Sequence, residues 1–130
     1  MSTYISLEVA PGELIDKITI LEIKKERIED VAKVENVWIE LEAMTAARDT
    51  NITPSAKMDE LTASLKAVNE ELWVIEDDIR DCERSSDFSD KFVQLARAVY
   101  VTNDKRAAFK RDINVFLGSR IVEEKSYATY

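Results

Sequence analysis

MDELTASLKAVNEELWVIEDDIRDC, Met58 to Cys82, places apolar side chains at Met58, Leu61, Leu65, Val68, Leu72, Ile75, Ile79 and Cys82. Those positions step by 3, 4, 3, 4, 3, 4 and 3 residues, an a/d seam more than three heptads long. At 1.5 Å per residue, a helix from about 56 to 84 is roughly 45 Å long. A seam of that length needs a second helix against it, and the chain supplies one immediately downstream.

Ser85-Ser86-Asp87 ends the first of these helices, and Ser89 is placed to cap the next, with Phe88 and Val93 positioned as a hydrophobic staple. The following stripe runs Phe92, Leu95, Val99, Arg106, Phe109, Ile113 and Phe116, with polar Asn103 near the seam, and Gly118 is the expected C-terminal cap. Upstream, DTNITPS at 49–55 collects turn formers and marks the clearest internal break. Before it, Val34, Trp38, Leu41 and Met44 form one stripe, and Leu14, Ile18, Leu21 and Ile28, flanked by Ile15, form another. The phase shift at Glu29-Asp30 predicts either a second helix capped by Asp30 or a kinked continuation of the first. Pro11 suits a first helical turn, and Glu13 and Asp16 favour its positive end. YISLEV at 4–9 alternates Ile5, Leu7 and Val9 with polar residues, which predicts a short N-terminal β-strand. The tail from Ser119 to Tyr130 has no clear period. The expected fold is all-α: an antiparallel bundle of three to four helices with a long heptad-patterned hairpin, one domain over 1–130.

Composition narrows the function. Two Gly and two Pro in 130 residues leave little material for the repeated tight turns of an all-β fold. The absence of histidine removes the usual general base at neutral pH, the usual triad member and the commonest zinc ligand. A net charge of −8 opposes nonspecific binding to nucleic acid or anionic membrane, so neither is expected as a partner. Cys82 is the only cysteine, and no stretch reads as a signal peptide or a bilayer span, which points to a reducing cytoplasm. Asn51-Ile52-Thr53, a sequon by pattern, reads as loop.

Charge is unevenly placed along the hairpin. Residues 70–90 hold nine acids and two bases, net −7, and residues 97–120 hold six bases and two acids, net +4. Successive helix residues lie about 100° apart, so Glu76, Asp77 and Asp78 cannot converge on one ion. Asp78 and Asp81, three residues apart, are the candidate metal ligands. In an antiparallel hairpin turning near residue 87, facing positions add to roughly 174. Arg97 then lies beside Asp77 and Asp78, Asn103 faces Glu71, and Arg106 faces Val68 and Asn69. The acids therefore act mainly to select the partner helix.

Asn103, Arg106 and Lys110 interrupt the apolar face of the last helix. A buried arginine needs an anion, either Glu71 or the carboxylate or phosphate of a ligand. Glu71, Asn103, Arg106 and Lys110 are thus the candidate ligand site, with Tyr100, Tyr127 and Tyr130 as possible walls of a cleft. The strand-to-helix segment VAPGELI has the form of a phosphate cradle, with its positive end already taken by Glu13 and Asp16.

ISLEVAPGELIDKITILEIKKERI, NEELWVIEDDIRDCE, FVQLARAVYVTNDKRAAFKRDIN and LGSRIVEEKSY together resemble an uncharacterised family of small bacterial and phage proteins, domain of unknown function 6165. That family carries no established activity, so the resemblance implies no catalytic residue. IDKITILEIKKERI also resembles the opening helix of all-α chorismate mutases, with Arg27 near its end. Glu26-x-x-Glu29 and Asp78-x-x-Asp81 resemble the paired carboxylates with which all-α nucleoside triphosphate pyrophosphohydrolases hold magnesium, although the gap between the pairs is far longer here.

The expected function is binding or assembly, with a small anionic ligand or a protein as partner and no cofactor. The alternative is a magnesium-dependent phosphohydrolase or, behind it, a chorismate-mutase-like enzyme. A homodimer is expected because Trp73 and Val74 point away from the seam and Trp38 breaks out of its own stripe. A compact monomer would instead fold the first two helices over the hairpin.

Overall fold

The computed structural model describes residues 3–130 and contains four helices: α1 (Pro11–Arg27), α2 (Val31–Asn51), α3 (Ala56–Arg84) and α4 (Asp90–Phe116). The all-α antiparallel bundle expected from the heptads is what forms. Helix α3 has 29 residues, about 43 Å, and α1 has 17, about 25 Å.

Local chemistry sets the boundaries. The Asp30 carboxylate accepts from Lys33 N at 3.0 Å, so the phase shift resolves as a new helix after an extended Ile28. Ser55 caps α3 by accepting from Met58 N at 3.1 Å. Ser89 sits at the N-cap of α4, but its hydroxyl makes no cap bond; its N–H donates to Asp87 Oδ1 instead. The staple is also redrawn, because Phe88 meets Phe92 edge-on, centroids 5.3 Å apart, and Val93 stays exposed. Gly118 (φ 64°) closes α4 as expected: its N–H reaches Val115 O, and Ser119 N–H reaches Asn114 O. Ser86 (φ 54°) closes α3 with the same two-bond pattern.

The N-terminal strand does not form. Among the described residues there is no β-structure, and Tyr4, Ile5 and Leu7 are exposed. A single alternating segment has no ladder without a neighbour, and the tail after α4 meets it through the Arg120–Glu8 ion pair while running back along α4.

Helix α1 is the hub. At the backbone it lies against α2, α3 and α4, while α2 approaches only α1. The core gathers Ile15, Ile18 and Leu21 of α1, Val37 and Leu41 of α2, Met58, Leu61 and Leu65 of α3, and Ile113 of α4. It therefore sits at the open end of the α3–α4 hairpin. Towards the tip the seam residues Leu72, Ile75, Ile79, Leu95 and Val99 are only half-buried, because two helices cannot close a core by themselves.

Taking the seam residues as heptad positions a and d, the polar links from α1 reach Lys66 and Asn69 on α3 and Lys110 and Asn114 on α4. These are b and e positions, so α1 covers one side of the hairpin. The c and g positions look the other way. No described helix is long and apolar enough to cross a membrane.

Candidate functional site

The hairpin side under α1 carries a buried polar layer. Gly12, Asp16, Thr19 and Ile23 step by 4, 3 and 4 residues, a second buried stripe on α1 beside its apolar one. Asp16, 1% exposed, accepts at Oδ1 from Asn69 Nδ2 (2.9 Å) and Arg106 Nε (2.9 Å), and at Oδ2 from Arg106 Nη2 (2.5 Å). Asn69 Nδ2 also donates to Thr19 Oγ1 at 2.9 Å, and that hydroxyl donates to Asp16 O. Hydrogen bonding to Asp16 raises the Arg106 pKa above its ordinary value. One turn away, Gly12 N donates to Asn114 Oδ1 at 2.7 Å. Nothing larger than glycine fits there: a Cβ on Gly12 would lie 2.3 Å from the Lys110 carbonyl oxygen.

Lys110 donates to Glu13 (2.7 Å) and to Glu123 of the tail (2.9 Å). Burial works against its charge, the two glutamates outweigh that cost, and its pKa lies above the ordinary 10.5. The same hydrogen bond holds Glu123 below its ordinary 4.5.

This linkage fixes when the tail is held. Glu123 has a lowered folded pKa, so its contribution is complete above about pH 5 and fades as pH falls through a value below 4.5. Lys110 has a raised one, so its contribution is complete below the ordinary 10.5 and fades as pH rises past it. In an acid titration followed by amide NMR, residues 120–130 are expected to keep their shifts down to the glutamate range and move only below it. Release of the tail already near neutral pH would contradict this pairing.

Of the expected ligand-site residues, Arg106 and Lys110 share the polar layer, and Glu71 lies apart from it. Arg106 finds an internal carboxylate, but it is Asp16 and not Glu71, which is exposed and forms no ion pair among the described residues. The heptad explains the difference: Glu71 is a g position, across the seam from α1, while Arg106 turns to the side that α1 closes. Arg97 does not pair with Asp77 or Asp78 either; its side chain donates to Gln94 at 3.4 Å. Asn103 is half-buried. Asp81 is tied to Arg84 and Glu26 to Lys66, and no group of three or more Asp, Glu, Cys or His among the described residues could hold a metal ion. Every buried side-chain nitrogen and oxygen among the described residues has a partner. The layer thus sets Asp16, Glu13 and Glu123 against Arg106 and Lys110 and leaves no surplus positive charge.

The tyrosines do come together. Tyr100, Tyr127 and Tyr130, with Asp104 and Lys125, line a cavity of about 610 Å³ between α4 and the tail. Tyr130 stacks edge-on against Tyr100 and donates its hydroxyl to Asp104 at 2.5 Å. The tail runs antiparallel along α4, with Glu123 at Lys110, Glu124 at Arg111 and Lys125 near Asp104.

Sequence reasoning missed Asp16 and Gly12 as packing residues, although their spacing with Thr19 and Ile23 carried the signal. No curated protein and no solved structure shows significant similarity to the chain. Residues 5–130 match the profile of DUF6165, a family of unknown function, and with nearly its whole length covered the chain belongs to that family.

Proposed function

We propose that this chain is a non-enzymatic assembly module whose working surface is the hairpin side turned away from α1. One observation carries the reading: Val74 of α3 and Val101 and Val115 of α4, all c positions, are 46%, 36% and 67% exposed, and exposed Ala67 and Ala108 continue the row. Between Val101 and Val115 that strip extends about 21 Å along α4. A row of exposed apolar side chains along one side of a helix pair is the kind of surface that marks an interface. The tail leaves it uncovered, since its contacts fall on Tyr100, Asp104, Lys110 and Arg111.

A small anion at Asn103, Arg106 and Lys110 would have to displace carboxylates already bound to both cations, which places assembly ahead of ligand binding. The buried free thiol of Cys82 fits a reducing compartment, and the cytoplasm is the proposed location. Site-specific photocrosslinking in the native cell tests the surface. A crosslinker at Ala108 is expected to yield a defined protein adduct, and one at Glu35 on α2 none. Absence of any adduct from Ala108 overturns the proposal.

A further inference from the structure

Resting on that reading of the surface, we infer that the partner is a second copy of this chain, packed through the c and g positions about a two-fold axis running along the hairpin. Charge decides both the occupant and the axis. Beside Ala67 and Val74 the charged g positions of α3 are Glu71 and Asp78; the g positions of α4 are Lys91, Ala98, Lys105 and Asp112. None of these five charged side chains forms an ion pair among the described residues, although Glu71 and Lys105 stand at nearly the same height on the hairpin. Around Ala67 and Val74 the α3 side of the face is acidic, and between Val101 and Ala108 the α4 side carries Lys105, with no ion pair joining the two within the chain.

Two copies can meet face to face in only two closed ways. An axis perpendicular to the helices lays α3 on the partner's α3, acid on acid. An axis along the hairpin lays α3 on the partner's α4, antiparallel and with heights preserved. Glu71 then meets Lys105 of the other copy twice, once on each side of the axis, and Val74 meets Val101 while Ala67 meets Ala108. Unlike a generic helical partner, a second copy supplies the required charge order automatically, because an isologous interface is self-complementary. Like charges placed directly opposite across such a face repel, which rules against the perpendicular axis.

The test uses light scattering on the full chain at micromolar concentration, with circular dichroism to confirm the fold. The wild type is expected at twice 14.9 kDa. Glu71→Lys and Lys105→Glu, both at exposed positions, are each expected to weaken self-association at least tenfold and to leave helicity unchanged. An equimolar mixture of the two variants restores the dimer, since each then offers the charge the other lacks. A wild-type monomer overturns the inference, and a crosslink from Ala108 to a different protein would then leave the assembly surface standing. A dimer strengthened by Glu71→Lys, or a mixture no better than its components, overturns the axis and with it the pairing.

Discussion

Arg106→Met is expected to cost about 3 kcal/mol of folding stability, because it leaves the Asp16 carboxylate buried without its cation. The asymmetry between the partners makes the prediction specific. Asp16 is 1% exposed, whereas the Arg106 side chain keeps 30% of its surface in water. The arginine can be solvated when its partner is lost; the aspartate cannot. Asp16→Asn should therefore cost less than Arg106→Met, since it removes the charge and keeps an acceptor for Asn69. The partial exposure of Arg106 also keeps the figure at the lower end of what breaking a buried pair costs. Combining Asp16→Leu with Arg106→Met should recover part of the loss, and urea denaturation of wild type, Asp16→Leu, Arg106→Met and the double variant gives the coupling. Additive effects would dissolve the pair. Glu35→Ala on α2 is the control, expected within about 0.5 kcal/mol because that side chain is exposed and forms no ion pair among the described residues.

Gly12→Ala is expected to cost about 3 kcal/mol, against the usual preference for alanine in a helix. The obstacle is backbone: the Lys110 carbonyl oxygen would lie 2.3 Å from the new methyl and its carbon 3.0 Å. A side chain in the way can rotate, but a helix backbone can only be pushed off. Moving α1 away from α4 stretches both the Gly12–Asn114 bond and the Asp16–Arg106 pair one turn on, so the damage exceeds ordinary overpacking. Gly12→Val should be worse. A melting temperature within a degree or two of wild type would mean that α1 and α4 do not approach as closely as described.

How much of this could be read from the chain depended on whether a residue's role was set within one helix or between three. The a/d seam from Met58 to Cys82, the Asp30 cap and the Gly118 cap are local patterns, and each stands where its spacing put it. Asn69 and Arg106 were placed at one height from helix rise alone, and both do bind the same carboxylate oxygen. That the carboxylate belongs to Asp16 depends on which side of the hairpin α1 covers, and a heptad fixes heights along a helix without fixing which flank the next helix takes. Glu71 lost to Asp16 for that reason. The strand expected at 4–9 failed differently: alternation describes a segment's two faces and says nothing about whether a neighbour will offer a ladder.

The hub position of α1 also ranks the parts of the molecule by how readily they let go. Helix α2 approaches only α1, and only Val37 and Leu41 of its 21 residues are buried. Detaching it uncovers Val37, Leu41 and the part of the core they cover, and leaves α1, α3 and α4 joined through the Asp16 layer. Detaching α1 separates everything at once. Sub-global opening therefore begins at α2, at a free energy well below that of complete unfolding. The hairpin and α1 open last and together, so a cell's proteases would meet the 31–51 segment long before they reach α1 and the hairpin.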